Sequence, residues 1–469
     1  MGQALSLVEA IAYHRAGNLE IADGIYESLL NNEPLNVQLL SLRGLVAQSL
    51  LRFERATEFF NRANQLLPND PNIQLQLGLL HTQMGDLILA NDFYQQVIQN
   101  SPNSVEPLVN YGNNLTKLHL FYEAFNVYQK ALKINPNSAQ IYYNMGTMFL
   151  EAMKPDNAIW FLEEAVRLDP AYAVAWNSLG VAHTEIGELK KAQVAYQQSV
   201  TLDPQCVEAF FNLHAVYIDL GLPDLALESL QKAAEIDGQN KVLQFFLGML
   251  YEYRGQTEWG RPILDDLANS GEVLPELKSW EYVKNASSSS PVLVGTNTQT
   301  VVIALEAASV DGLVLEFGVY NGKSIRRIAS LINQTVHGFD SFEGIPEAWN
   351  DEPKGSYSAQ GQLPSVPNNV TLHPGWFSDT LPAFVAQSTD PVRFLHIDCD
   401  LYSSTKTVFE YLASRIVSGT VIVFDEFIGY KSWQDDEFKA FIEAVNLHSW
   451  NYRLLTFSFV TKQVAIQIE

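Results

Sequence analysis

The sequence predicts an all-α array of helical hairpins followed by an open α/β sheet domain. Two observations carry this. Through the first part of the chain, small residues and prolines recur every 34 positions, and after Leu313 short apolar runs alternate with amphipathic segments. A third observation marks where the second part opens: the stretch Leu313–Ser324, LVLEFGVYNGKS, is an apolar run, a glycine-bearing turn and the start of an amphipathic helix.

The repeat is read from three registers. Proline stands at Pro34, Pro68, Pro102, Pro136, Pro170 and Pro204, with Gly238 in the next place. Gly44, Gly78, Gly112, Gly146 and Gly180 form the second, continued by His214 and Gly248. Ala22, Ala56, Ala90, Ala124, Ala158, Ala192 and Ala226 form the third. Each unit reads as two amphipathic helices, glycine in the first and alanine in the second, both small where the helices cross closely. Proline stops one helix and starts the next, because it lacks an N–H and clashes with the preceding turn. The aromatics Tyr26, Phe60, Tyr94, Tyr128 and Tyr196 follow the alanines by four residues, and Phe161 by three, on the packing face. Ala10 takes the glycine place in the first unit, and Gly260 the alanine place in the last.

The pattern resembles the tetratricopeptide repeat (TPR) over about residues 3–274. It implies a TPR superhelix with a concave groove, because no unit buries its own apolar face. Leu42, Gln76, Asn110, Asn144, Ser178 and Asn212 lie two residues before each small residue. In that family amides there line the groove and hold a protein or peptide partner, each supplying a donor and an acceptor. Ordinary solvated helix residues are the alternative.

Composition bounds the function. The chain has 469 residues, 47% apolar and 17% charged, the size of two or three domains. A formal net charge of -24 disfavours nucleic acid as a partner. Cys206 and Cys399 make neither a disulfide framework nor a zinc site and suit a reducing cytosol, hence a cytoplasmic protein. The opening residues lack a signal-peptide pattern, and no apolar stretch reaches the roughly 18 residues of a membrane span. Met1-Gly2 with Ser6 fits the short N-myristoylation pattern, but so few fixed places match often by accident, and these residues read as the opening of the first repeat helix.

Small polar residues at Asn269–Gly271 and Asn285–Pro291 mark a joint, placed at 275–294, and the piece between them, Leu274–Lys284, reads as a short helix. A packing helix follows over Thr298–Ala308, with Asn297 as its cap. Strands are expected at Leu313–Phe317, Thr335–Phe339, Asn369–Leu372, Arg393–Ile397 and Thr420–Phe424. Two late runs, Tyr452–Phe457 and Gln463–Ile468, have no helix between them and read as an antiparallel hairpin. Acids stand at the carboxyl ends of four of the five strands: Glu316, Asp340, Asp398, and Asp425 with Glu426. In open α/β sheets that edge is where ligands bind. Like charges gathered there cost roughly 4 kcal/mol per close pair at an effective dielectric of about 20, which asks for a cation. A helix cap is the alternative for any one of them.

Five motifs in order, LEFGVYNGKS, GFDSFEGIPEAW, GWFSDTLP, HIDCDLYSST and the late FDEF, resemble the macrocin O-methyltransferase family over about residues 295–469. The resemblance implies a Rossmann-like class I methyltransferase fold, S-adenosylmethionine as cofactor, Mg2+, and a sugar hydroxyl as methyl acceptor on a small molecule or glycan. Carried over by residue, Glu316, Gly318 and Gly322 match the cofactor loop. Asp340 matches the acid that meets the ribose hydroxyls, with Ser341 beside it. Trp376 and Phe377 flank the adenine or serve the core. Asp398, Asp425 and Glu426 match the metal-binding acids, Asp398 being also the catalytic residue, and Asp400 is an alternative ligand. The family has Asp where this chain has Glu426, one methylene longer, which bears on the metal geometry. His396 reads as a core histidine or a catalytic one, and His448 as packing. The Pro-, Gly-, Asn- and Ser-rich segment Glu343–Asn368 is expected to cover the acceptor, with Trp349 and Tyr357 as contacts. A scaffold that binds cofactor without turnover is the alternative function.

Overall fold

A computed structural model describes residues 6–271, 274–286 and 290–469. Met1 and Gly2, and the central serines Ser287–Ser289 of the joint, lie outside these residues. Contacts divide the chain into two compact units, one ending at Pro170 and the other beginning at Ala171. No helix among the described residues is long and apolar enough to cross a membrane.

Eight helix pairs make the repeats, from Leu7–Arg15 with Leu19–Asn32 to Lys241–Tyr253 with Thr257–Asn269. Ser6 caps the first helix, accepting from Glu9 N at 3.3 Å while Glu9 Oε2 accepts from Ser6 N at 2.7 Å. The glycine register faces a large side chain sixteen residues on. A Cβ at Gly112 would lie 2.5 Å from the ring of Tyr128, and one at Gly78 2.6 Å from that of Tyr94. At Gly146 the side chain met is Leu162, not Phe161. Phe161 packs between helices as expected, but three residues past Ala158 places it beside the crossing, where it joins Phe125 and Phe149, stacked on Phe149 at 5.2 Å. Two of the groove amides are tied to neighbours, Asn144 Nδ2 donating to Asn113 at 3.0 Å and Asn212 Nδ2 to Asn177 at 3.3 Å.

The same substitution therefore has opposite expected signs at two places in the first unit. Gly112→Ala drives a methyl into Tyr128 and should cost about 1–3 kcal/mol. Gly24→Ala, exposed inside Leu19–Asn32 with nothing within 4 Å, should stabilise by about 0.4–1 kcal/mol. Urea denaturation of the two variants checks the contrast.

The second unit holds the last repeats and an eight-stranded sheet. Its strands are β1 (Val292–Leu293), β2 (Leu313–Phe317), β3 (Val336–Asp340), β4 (Val370–Pro374), β5 (Val392–Ile397), β6 (Val421–Phe424), β7 (Tyr452–Phe457) and β8 (Val464–Ile468). The order is β1-β7-β8-β6-β5-β2-β3-β4. β8 runs antiparallel to both neighbours, and every other pairing is parallel. This is the class I arrangement the resemblance implies, extended by one short edge strand, β1. The segment read as a joint contributes that strand and a helix, Pro275–Asn285, which buries Ser279, Trp280 and Val283. The cap of the next helix, Asn297–Ala307, is Thr296 rather than Asn297, its hydroxyl accepting from Gln299 N at 3.3 Å. His448 stacks on Trp450 at 5.3 Å.

Candidate functional site

Register alone brings the strand-end residues together. Phe317, Phe339, Ile397 and Phe424 stand side by side across β3-β2-β5-β6. The next residue of each strand, Gly318, Asp340, Asp398 and Asp425, therefore forms one row at the carboxyl edge. Backbone bonds carry the sheet into it: Gly318 N donates to Phe339 O at 3.0 Å, Asp398 N to Phe317 O at 2.8 Å, and Asp425 N to Ile397 O at 2.9 Å. Gly318 is obligatory here. Its φ is 92°, and a Cβ would overlap the Asp398 carbonyl oxygen.

The glycine turn is held by Asp340. Its Oδ2 accepts from Val319 N at 2.8 Å and Tyr320 N at 2.7 Å, and its Oδ1 from Phe342 N at 2.6 Å. Two lone-pair positions on Oδ2 are thus filled, and one on Oδ1 is left. Tyr320 and Phe342 take positive φ, 47° and 59°, which three amide bonds to one carboxylate sustain. Gly322, φ 81°, opens the helix Lys323–Leu331. The Ser341 hydroxyl is occupied in its own turn, accepting from Glu343 N at 3.1 Å and donating to Gly344 O at 3.3 Å. Phe377 packs edge-on to Phe317 at 5.1 Å, a core contact, whereas Trp376 remains 36% exposed.

Below the row lies a buried acid. Glu316 Oε1 accepts from the Ser324 hydroxyl and stands 3.3 Å from His396 Nδ1. Burial opposes charge on His396, but its bond to Glu316 and the charges of Glu316 and Asp425 prevail and raise its pKa. His396 Nε2 is 3.8 Å from Asp425 Oδ1, too far for a hydrogen bond. Asp425 Oδ1 accepts instead from Gln463 Nε2.

The acids above are crowded. Burial and then the charges of Asp425, Asp400, Glu316 and Glu437 push Asp398 well above the carboxylate range. Asp400 rises to about 7 through burial and then Asp425 and Asp436. Glu426 rises to about 8 through burial and then Asp425. Lys462, 3.7 Å from Glu426, pulls both of these down in part. Among the described residues, Glu316 Oε2, His396 Nε2, Glu426 Oε2 and Glu437 Oε2 are buried without a hydrogen-bond partner. Ligand atoms of Glu316, His396 and Asp398 all fall within 4.8 Å of one another. Carboxylate oxygens in excess of donors, with orphaned atoms among them, fit a divalent cation. Of the expected set Asp398, Asp425 and Glu426, that grouping includes Asp398 and leaves out Asp425 and Glu426.

Sequence reasoning missed two contributors. Glu437, fully buried in the first turn of Glu437–His448, accepts from Cys399 N at 3.3 Å and Asp400 N at 3.2 Å. It fixes the bend after β5, where Asp400 stands at φ 61°. Its signal in sequence was an acid opening a helix, which ordinarily reads as a dipole partner. Lys462 comes from the β7–β8 turn and has no motif around it.

The loop beyond β3 lies over the acids. Trp349 Nε1 donates to Asp436 at 3.2 Å, which makes it a tie to the loop after β6. Tyr357 is 44% exposed, and its pKa is pushed up to about 12 by burial and then by Glu352, Asp400, Glu426 and Asp398. Its hydroxyl therefore sits within the field of the acidic row.

A family model described as a methyltransferase domain matches residues 315–427. Tetratricopeptide-repeat models match residues 73–104, 121–151, 139–172 and 173–206. The chain is 27% identical over 159 residues to 8-demethyl-8-(2,3-dimethoxy-alpha-L-rhamnosyl)-tetracenomycin-C 4'-O-methyltransferase of Streptomyces olivaceus, covering 28% of this chain and 59% of that protein. It is 26% identical over 196 residues to demethyldecarbamoylnovobiocin O-methyltransferase of Streptomyces niveus, covering 36% and 73%. The solved structure of the MamA protein is similar over 36% of this chain and 92% of that chain, at 28% identity and a TM-score of 0.33. The chain thus carries tetratricopeptide repeats fused to a methyltransferase domain.

Proposed function

We propose that this chain is an S-adenosylmethionine- and Mg2+-dependent O-methyltransferase acting on a hydroxyl of a sugar or glycosylated acceptor. The observation that carries the reading is the single row of Gly318, Asp340, Asp398 and Asp425 past adjacent strand ends. In this reading residues 295–469 do the chemistry, and the repeats of residues 3–274 recruit a protein, a peptide or a carrier-bound acceptor. Two unpaired cysteines, Cys206 and Cys399, suit the cytosol.

S-adenosylmethionine, when bound, supplies a methyl group on a positively charged sulfur. Gly318 and Gly322 supply the positive φ by which the chain turns at the cofactor loop, and the free acceptor position on Asp340 Oδ1 meets a ribose hydroxyl. Trp376 offers its exposed ring to the adenine, whereas Phe377 and Ser341 serve the fold at that place. Asp398, Asp425 and Glu426 would hold a divalent cation, which would supply Lewis acidity to an acceptor hydroxyl. Glu437 keeps the bend that aims Asp398 and Asp400, and Glu316 anchors Ser324 and His396 beneath the row. Tyr357, within the field of the acidic row, is a contact for the acceptor.

Titration calorimetry with S-adenosylmethionine, in EDTA and in Mg2+, tests the reading. Binding of the cofactor together with Mg2+ uptake is expected. No binding of S-adenosylmethionine would end the proposal, and cofactor binding with no Mg2+ uptake would favour a scaffold without turnover.

A further inference from the structure

We propose that the repeats reach into the cofactor site: Glu185, ending the repeat helix Ala173–Glu185, is a positioning residue for the glycine loop 318–322 through its ion pair with Lys323. The inference rests on the reading of that loop as the cofactor loop. Lys323 is the first residue of the helix Lys323–Leu331, directly after Gly322, and its backbone N–H donates to Asn321 Oδ1 at 3.1 Å. To these ties within the domain the Lys323 side chain adds one to the repeat helix. Both partners of the ion pair are about one-third exposed, 32% and 31%, so the pair is sheltered without being sealed.

A second contact, one turn further along the same helix, makes the docking specific. The Arg327 guanidinium lies against Gly187 in the turn just after Glu185. Its Nε is buried without a hydrogen-bond partner, and burial lowers its pKa. Comparison with the other repeats shows that this is no general feature of the turn. Positions 17, 51, 85, 119, 153, 187, 221 and 255 share one 34-residue register, and all have positive φ, from 53° to 85°. At Gly17, Gly85, Gly221 and Gly255 a Cβ would meet nothing within 4 Å. At Gly187 it would lie 2.9 Å from Arg327 Nη2 and from Thr298 Cγ2. The space that these other glycine turns leave open is filled at this one by the helix that carries the cofactor loop.

The loop between these supports is strained at Tyr320, φ 47°, and persists because both ends are fixed. Asp340 holds the strand side through Val319 N and Tyr320 N. Glu185 holds the helix side through Lys323. Loosening the helix side lets the loop amides open and lowers affinity for a ligand that needs them arranged, because the ordering must then be supplied on binding.

The test uses the full chain with Glu185→Lys, Lys323→Glu and the double swap. Two measurements are made: hydrogen exchange of the amides of residues 319–324 without ligand, and calorimetric affinity for S-adenosylmethionine. Each single variant is expected to exchange those amides about tenfold faster and to bind S-adenosylmethionine about tenfold more weakly. The swap is expected to recover most of both, while exchange in β5 and β6 stays as in the unaltered chain. Unchanged exchange in the single variants would overturn the inference, and so would a swap no better than either. If the unaltered chain binds no S-adenosylmethionine, the reading of the loop as a cofactor site fails, and with it the inference about that site, whatever the exchange data show.

Discussion

Asp398→Asn is expected to raise the thermal stability of the metal-free chain and to abolish its response to Mg2+. The two effects have opposite signs and one cause. Burial and the charges of Asp425, Asp400, Glu316 and Glu437 all disfavour an ionised Asp398. Asparagine keeps the shape and removes the charge, so the metal-free fold gains on the order of 1–3 kcal/mol, the usual range for relieving a poorly satisfied buried polar group. At about 2–4 °C per kcal/mol for a domain of this size, the gain is readable in a melting curve. The unaltered chain, by contrast, should gain about 2.7 kcal/mol from Mg2+ at a hundred times its dissociation constant, because only the folded acids gather at one edge. Affinity for S-adenosylmethionine should stay near that of the unaltered chain, since the glycine turn is held by Asp340 and not by Asp398. Differential scanning calorimetry in EDTA and in Mg2+ reads both arms. A full Mg2+ response in the variant would remove Asp398 from the metal set. A lower melting point in EDTA would mean that its carboxylate makes a stabilising bond.

What could be read in sequence follows from how far each signal travels along the chain. The repeats were legible because proline, glycine and alanine recur at 34 residues, and the packing that demands them is local. The partner of each glycine was less legible. Sixteen residues separate Gly146 from Leu162, and only the helix crossing tells Leu162 from its neighbour Phe161. The left-handed turn register was hidden because Leu51, His119 and Met153 occupy it where glycine would have announced it. The acidic row was legible because strand ends carry their acids in motif, whereas Glu437, Lys462 and Glu185 arrive from elements with no motif. An acid at the end of a repeat helix reads as ordinary surface until the helix after Gly322 is seen beside it.

A chain cut to begin at Pro291 is expected not to fold cooperatively, whereas one beginning at Ala171 is expected to do so. The cut falls within the segment that sequence marks as a joint, so composition alone predicts the reverse. In the folded unit the last repeats and the helix Pro275–Asn285 together bury the far edge of the sheet and the helix beside it. Phe245 packs on Phe459 at 4.9 Å, Trp280 on Phe457 at 5.8 Å and Tyr253 on Phe457 at 5.7 Å. Tyr282 packs on Phe438 at 5.0 Å and on Trp433 at 6.0 Å. Polar ties accompany these: Asp219 accepts from Gly295 N at 2.7 Å, and Ser279 from Gly429 N at 2.9 Å. Gly295 lies so close to the repeat helix that a Cβ would overlap the Ala215 carbonyl oxygen. Uncovering Phe457, Phe459, Trp433 and Phe438 forfeits a large part of about 1.5–3 kcal/mol for each, which rivals the roughly 5–15 kcal/mol that holds a whole domain together. It also leaves an apolar surface that invites aggregation. Near-ultraviolet circular dichroism and thermal melting of the two fragments decide the matter. A sharp, reversible transition in the fragment from Pro291, at the temperature of the longer one, would show that the repeats merely adjoin the sheet and contribute nothing to its stability.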